Sequence, residues 1–441
     1  MEYLSFLGDF GPMTIETATL LMFSLLLVLL LTGMPLAFVT LLVALVFALG
    51  WFGPMAVPLI TSRIFSFVNS FVFVSVPMFV MMAAILDRSG IAQDLFDAMR
   101  LLGGRLRGGV AIQTLLVAVV LAAMSGIIGG EIVLLGLLAL PQMLRLGYDR
   151  RLAIGVCCAG GALGTMIPPS IVLIIYGLTA SVSIGDLFAA SFMPGFMLAG
   201  LYVCYILFRA YRDPDCAPIP DFQPTPTSEK LRLLKGLILP MLVVTMVLGS
   251  IYGGIASVTE ASAVGVAGVT ISTLLRGELT LEMLRGAALQ TLQTVGTIVW
   301  IGIGATALVG VFNLMGGIDF VSNLILGLSA NRTIILLYMM AILFILGMFL
   351  DWVGIALLTM PIFVPIIVEL NYDPVWFGVL FAMNMQVSFL SPPFGPAAFY
   401  LKSVAPSDIS LMEIFRALLP FIALQVLALA LLIIFPGITG R

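Results

Sequence analysis

The chain is 441 residues long, 61% hydrophobic and 9% charged, with a formal net charge of -3 and a mean hydropathy of +1.22. So little polar surface excludes a soluble globule of this length and places the chain in a bilayer. Positive charges are dispersed, which argues against nucleic acid as a partner, and the absence of histidine excludes His-based zinc sites, Ser-His-Asp triads and imidazole proton relays.

In chain order, apolar stretches long enough to cross ~30 Å of hydrocarbon fall near 15–33, 35–52, 109–128, 191–209, 237–255, 259–275, 289–311, 333–350, 374–390 and 411–435. No basic region precedes the first, and no small-residue cleavage pattern follows it, so it is expected to remain as a membrane helix. Two segments fit poorly as plain spans. One is 63–86, with Pro77 inside it and Asp87-Arg88 at its end; the other is 352–369, with Pro361 and Pro365. They are expected to be the first and second re-entrant hairpins or broken helices, tolerated where protein or a cavity covers them.

Between the halves lies Tyr211–Lys235, with five prolines and most of the polar residues of the middle region. It predicts an exposed linker (211–235) joining an N-terminal membrane repeat (1–210) to a C-terminal one (236–441). Basic residues cluster at Arg88, Arg100, Arg105 and Arg107, at Arg145, Arg150 and Arg151, and at Arg209, Arg212, Lys230, Arg232 and Lys235. The positive-inside rule puts all three loops in the cytoplasm. Cys157, Cys158, Cys204 and Cys216 have no metal-ligand spacing, and no G-x-x-x-x-G-K-[ST] loop is present. Uphill transport would therefore draw on an ion gradient or another subunit.

The repeat is visible in punctuation rather than in apolar filling. Pro141, Leu146, Tyr148-Asp149, Pro168-Pro169 and Tyr176 recur without a gap as Pro365, Leu370, Tyr372-Asp373, Pro392-Pro393 and Tyr400. Residues 369–375, which match the basic loop 145–151, carry no basic residue. Equivalent loops then lie on opposite sides of the membrane, and the expected fold is all-α, with two inverted-topology repeats and helix breaks at corresponding places, as in secondary transporters.

Proline lacks an N–H and clashes with the carbonyl four residues earlier. The first pair therefore frees the carbonyls of Gly164 and Thr165, and the second those of Ser388 and Phe389. Such oxygens need partners in hydrocarbon. A sodium ion is one, and a kink satisfied by water or a neighbouring hydroxyl is the other; repetition of the pair favours sodium.

Three acids stand within apolar runs. Asp351 is the candidate for the one formal charge of a cation site, or else a residue at the water interface. Glu260 is either functional or a first-turn acid on a capped helix, and Glu131, after Gly129-Gly130, is in the same position. For an anionic substrate, broken helices offer N–H groups, and Ser170 and Ser391 beside the prolines add hydroxyls. Asn384 and Gln386 either join that site or tie helices together.

The run Gly160-Gly161-Ala162-Leu163-Gly164-Thr165-Met166-Ile167-Pro168-Pro169-Ser170, together with Val76-Pro77-Met78-Phe79, Gly147-Tyr148-Asp149, Thr259-Glu260-Ala261, Asp351 and Ser391-Pro392-Pro393-Phe394-Gly395, resembles the large membrane subunit of tripartite ATP-independent periplasmic (TRAP) transporters. The resemblance covers nearly the whole chain. It implies an elevator-type transporter of the bacterial inner membrane, with scaffold and transport domains, two sodium ions as the coupling species and no other cofactor. It also implies two partners: a small four-helix membrane subunit and a periplasmic substrate-binding protein. By similarity the first sodium site takes Ser125, Gly164, Met166 and Pro169, and the second takes Asp351, Ser388, Leu390 and Pro393. An organic acid, such as a 2-oxoacid or C4-dicarboxylate, would meet Gly126, Thr165, Ser170, Asn384 and Ser391. Many relatives carry Ser-Gly-Ser-Ser where this chain has Ser125-Gly126-Ile127-Ile128, so the first site lacks some side-chain ligands. The expected activity is sodium-coupled import and not enzymatic; the alternatives are a passive channel, an intramembrane acid-base enzyme using Asp351 with Glu131 or Glu260, and a permease driven by a separate ATPase.

Overall fold

The structure, a computed structural model, describes residue 10 and residues 13–103, 106–126, 129–219 and 237–440. The side chains of 99–103 are outside that description, as are Arg105, Ile127, Ile128 and most of the expected linker. Every regular element among the described residues is helical. Among the described residues, seven continuous helical stretches are long and apolar enough to cross a membrane: Leu36–Val68, Phe71–Arg88, Ile184–Arg212, Val258–Leu275, Leu281–Leu314, Trp352–Glu369 and Leu411–Ile434.

The first half runs α1 (Ile15–Leu31), α2 (Leu36–Phe52), α3 (Ala56–Val68), α4 (Ser75–Arg88), α5 (Ile91–Gly103), α6 (Gly109–Ser125), α7 (Gly130–Arg145), α8 (Arg150–Ala162), α9 (Ile171–Ala180) and α10 (Ile184–Arg212). The second runs α11 (Ile238–Tyr252), α12 (Val258–Leu275), α13 (Leu281–Leu314), α14 (Gly317–Leu326), α15 (Arg332–Gly347), α16 (Trp352–Glu369), α17 (Pro374–Leu390), α18 (Pro396–Val404) and α19 (Leu411–Ile434). The shift that carries Pro141 onto Pro365 carries these elements onto one another in order, α1 onto α11 through α10 onto α19, with α3 and α4 together matching α13. The duplication therefore extends over the whole described chain, well beyond the proline-bearing window.

Two expectations about hairpins need correction. Segment 63–86 does not break at Pro77. The chain turns at Asn69–Ser70, a 3-10 turn (Phe71–Val74) follows, and Pro77 is the third residue of the α-helix α4 that continues from it. Asn and Ser compete for backbone hydrogen bonds and favour turns; the matching pair, Gln293–Thr294, stays inside the 34-residue α13. The first segment is thus interrupted, though not at its proline, whereas segment 352–369 is not broken, since α16 continues through Pro361 and Pro365. The helix pairs that match across the repeat are α6–α7 and α15–α16, joined at 126–129 and 348–351. Gly126 and Gly129 turn the first junction with φ of +59° and +110°, backbone conformations open to glycine.

Helices α2, α3, α4, α12 and α13 contact one another in one group, while α6–α9, α15–α17 and α19 form another around the two diproline breaks. The groups meet where α16 packs on α9 and α13. The core is apolar and includes Phe79, Tyr176, Phe188, Phe377, Phe381 and Phe421, each fully buried.

Candidate functional site

The repeated residues build the same corner twice. In the first half α7 ends in a left-handed residue, Gly147 (φ +79°), with Tyr148 N–H donating to Met143 O at 3.0 Å. In the second α16 ends at Asn371 (φ +57°), with Tyr372 N–H donating to Ile367 O at 3.0 Å. Both are helix C-caps of the six-to-one kind. The aspartate that follows caps the next helix: Asp149 Oδ1 accepts from Leu152 N at 3.0 Å, and Asp373 Oδ1 from Val375 N at 2.9 Å. Tyr148 Oη accepts from Val110 N at 3.2 Å, and Tyr372 Oη lies 3.4 Å from Thr333 Oγ1. Each tyrosine thus ties the corner to the start of the hairpin's first arm. Tyr-Asp is structural: it holds the diproline helix at a fixed angle to its hairpin.

Both diproline peptides are cis, and each interrupts its helix. α8 passes through a short 3-10 turn (Leu163–Thr165) before α9 begins after Ser170, and α17 ends at Leu390 before α18 begins at Pro396. Of the four freed carbonyls, Thr165 O accepts the Ser170 hydroxyl at 2.6 Å, and Ser388 O accepts Ser391 N–H at 3.1 Å. No hydrogen bond to the Gly164 or Phe389 carbonyl is found among the described residues. One oxygen of each pair is therefore satisfied locally, and the other has no partner among the described residues.

Each hairpin tip packs on the break of its own half. Gly126 sits against the Pro169 carbonyl so closely that a side chain there would overlap it, and Ile171 N–H donates to Gly126 O at 3.3 Å. In the second half Gly347 lies against the Ser388 side chain, and Phe349 meets Phe394 edge-on, with centroids 6.4 Å apart. Ser125, Gly126, Gly164, Pro169 and Ser170 are thereby brought together, and Met166 lies on the same turn. Leu390, Ser391 and Pro393 share the second break with Ser388. Residues 161–170 are buried throughout, whereas Pro392, Pro393 and Phe394 are exposed.

The hydroxyls expected to meet substrate are already used as donors within the chain. Thr165 Oγ1 donates to Ala162 O at 3.1 Å, Ser170 Oγ to Thr165 O, and Ser391 Oγ to Val387 O at 2.7 Å. Asn384 Nδ2 donates to Met340 O at 2.8 Å, tying α17 to α15. Gln386 meets Gln425 of α19 at 3.5 Å. For these two amides the structure shows helix-tying bonds.

The acids divide cleanly. Glu260 belongs to a capping box on α12: its carboxylate accepts Ser257 N–H at 2.8 Å, while Ser257 Oγ accepts Glu260 N–H at 3.3 Å. That explains its place in the sequence without a ligand. Asp351 is exposed and is the N-cap of α16, with Oδ2 accepting Val353 N–H at 3.1 Å. Glu131 is the second residue of α7, buried at 2% exposure, and accepts a hydrogen bond from Ser125 Oγ.

The sequence reading missed a polar cavity of about 930 Å³ lined by Arg63, Ser70, Ser181, Asn313, Asn323 and Glu369, with Pro361 and Pro365 in its wall. None of the expected substrate residues lines it. The available signal was Arg63, the one basic residue between Met34 and Asp87. The two interior prolines of α16 also make sense here, since carbonyls they free are tolerable beside a polar cavity.

Residues 23–438 match the family described as "Tripartite ATP-independent periplasmic transporter, DctM component". The C4-dicarboxylate TRAP transporter large permease protein DctM of Pseudomonas aeruginosa is 27% identical over 389 residues, covering 88% of this chain and 90% of that protein. The ectoine/5-hydroxyectoine TRAP transporter large permease protein UehC of Ruegeria pomeroyi is 30% identical, over 83% of this chain and 84% of its own. Among solved structures, the Alcanivorax borkumensis YdaH transporter superposes with a TM-score of 0.60 at 13% identity, over 86% of this chain and 87% of that one; this likeness concerns the fold.

Proposed function

Because the chain belongs to the DctM-component family of tripartite ATP-independent periplasmic transporters, and is a large permease subunit of that kind, we propose that it imports a small organic acid by sodium symport. The observation that carries this reading is the same in both halves: a hairpin tip packed on a proline-broken helix, with one freed carbonyl left unpaired, at Gly164 and at Phe389. Neutral backbone oxygens with at most one carboxylate suit a monovalent cation. The first sodium ion is assigned to Ser125, Gly164, Met166 and Pro169, the second to Asp351, Ser388, Leu390 and Pro393.

Substrate would bind beside the two ions at Gly126, Thr165, Ser170, Asn384 and Ser391. Because the hydroxyl protons there are committed internally, recognition of an anion would fall to backbone N–H groups at the helix breaks. A periplasmic binding protein would deliver the acid and a small four-helix membrane subunit would complete the unit in the bacterial inner membrane. The repeats would then be inverted, with the α6–α9, α15–α17 and α19 group moving against the rest as an elevator. The substrates named among relatives, C4-dicarboxylate, ectoine and isethionate, support small organic acids as a class rather than one compound.

Uptake into proteoliposomes, with the small subunit co-reconstituted and the binding protein outside, tests the coupling. Accumulation should follow an inward sodium gradient and cease when choline replaces sodium. Uptake indifferent to sodium would reject it.

A further inference from the structure

Among the described residues, Glu131 is the one fully buried acid that neither a cap nor an ion pair explains. It is 2% exposed. One oxygen accepts the Ser125 hydroxyl; the other, Oε2, is buried with no hydrogen-bond partner. No Lys or Arg lies within ion-pair distance of it among the described residues. The groups around it deepen the imbalance. From α4, Asp87 places Oδ2 3.0 Å from where a side chain on Gly130 would begin, and its own visible partner is Gln290 at 3.4 Å. From α18, the Tyr400 ring covers Gly129 at about the same distance, 2.9 Å from the equivalent point. Arg88 is exposed and turned to Gln290 Oε1 at 3.1 Å. A buried carboxylate in such company is stable only when protonated or when a cation binds it.

Where that cation would sit is given by a second observation. The two Glu131 oxygens face Gly164, lying 2.9 and 3.3 Å from the position a Cβ would take there. Gly164 is the residue whose carbonyl Pro168 frees. We propose that Glu131 supplies the formal charge of a monovalent-cation site whose other oxygens are Ser125 Oγ and the Gly164 carbonyl. The hydrogen bond from Ser125 fixes the hydroxyl so that its lone pairs are free for the ion, as carboxylates do for ligands they orient. One charge and two neutral oxygens match sodium; divalent cages collect several carboxylates. This rests on the sodium reading above and deepens it, because it replaces the side-chain ligands missing at Ile127-Ile128. It also gives the halves matching chemistry. Glu131 is in the first turn of α7 and Asp351 caps α16, so each hairpin carries one acid at the start of its second arm. Ungapped superposition places Glu131 on Ile355, so the correspondence is in position on the hairpin and not in register.

The test is sodium binding to the purified complex of this chain with its small membrane subunit, titrated by calorimetry and by thermal shift against choline. Glu131→Gln should lower sodium affinity at least tenfold and remove one class of site while keeping the Asp351-dependent class; Asp351→Asn should do the converse, and the double variant should bind none. Wild-type affinity and stoichiometry in Glu131→Gln would overturn the assignment and leave sodium coupling standing, whereas no sodium response in the wild type would overturn both. Should Glu131→Gln not yield a folded complex, Glu131→Asp keeps the charge on a shorter stem. It should shift the preference between sodium and lithium severalfold, and unchanged selectivity would overturn the proposal.

Discussion

Gly126 rests against the carbonyl of Pro169 with no room for a side chain, so the tip of the first hairpin and the first helix break form one unit. Gly126 also has φ +59°. Alanine there would meet a left-handed backbone, at ~1–2 kcal/mol, and a fixed carbonyl that cannot give way. Gly126→Ala is expected to cut uptake at least tenfold and lower the midpoint of thermal unfolding. Normal uptake would mean that the tip can lift from the break without consequence.

The equivalent caps invite a paired measurement. Asp149→Ala and Asp373→Ala each remove one side-chain acceptor from a helix start, worth ~1 kcal/mol apiece. The two sites share no partner, so the losses should add. Thermal unfolding of both single variants and the double checks this, and strong non-additivity would show that the corners are coupled.

Asp351 caps α16 and is proposed to hold a sodium ion, and substitutions can separate the two. Asparagine retains an oxygen to accept Val353 N–H but carries no charge; alanine loses both. Asp351→Asn should lose the Asp351-dependent class of sodium site at near-normal stability, while Asp351→Ala should lose that class and ~1 kcal/mol of stability as well. Wild-type sodium affinity and stoichiometry in either variant would remove Asp351 from the site.

At the loop between α12 and α13, Glu278 pairs with Arg276 at 2.9 Å and accepts Gly90 N–H at 3.1 Å. The Arg276 hydrogen bond holds the Glu278 carboxyl below its usual range. A carboxyl lowered on folding adds stability that is present above its unfolded value, near 4.3 for glutamate, and is lost as pH falls through the lower folded value. Glu278→Ala should therefore unfold more readily than wild type at neutral pH, and the gap should close only in acid below that range. Equal stability at neutral pH would show that the pair contributes nothing.

Much of this architecture was legible in the chain. Apolar runs located the spans, and Tyr148-Asp149 with Pro168-Pro169 exposed the duplication, because caps and helix breaks depend on particular residue types. The hairpins were misplaced because proline was read as a break wherever it fell. Pro77 lies in a first turn and Pro361 and Pro365 inside a continuous helix, whereas the true turns use Asn69–Ser70 and Gly126. The hydroxyls of Ser170 and Ser391 sit at the expected breaks, yet their protons go to carbonyls within five residues, a local choice that spacing alone does not reveal. Arg63 and the cavity it lines depend on contacts between α3, α13, α14 and α16, which no single stretch of sequence contains.

The burial of one diproline and the exposure of the other mean that descent from a common segment no longer implies equal access. A bulky water-soluble thiol reagent should distinguish the copies at once, modifying a cysteine placed at Pro393 and sparing one placed at Pro169. The first socket is sealed by its own hairpin and the second stands open at its rim, so the two would fill and empty by different routes.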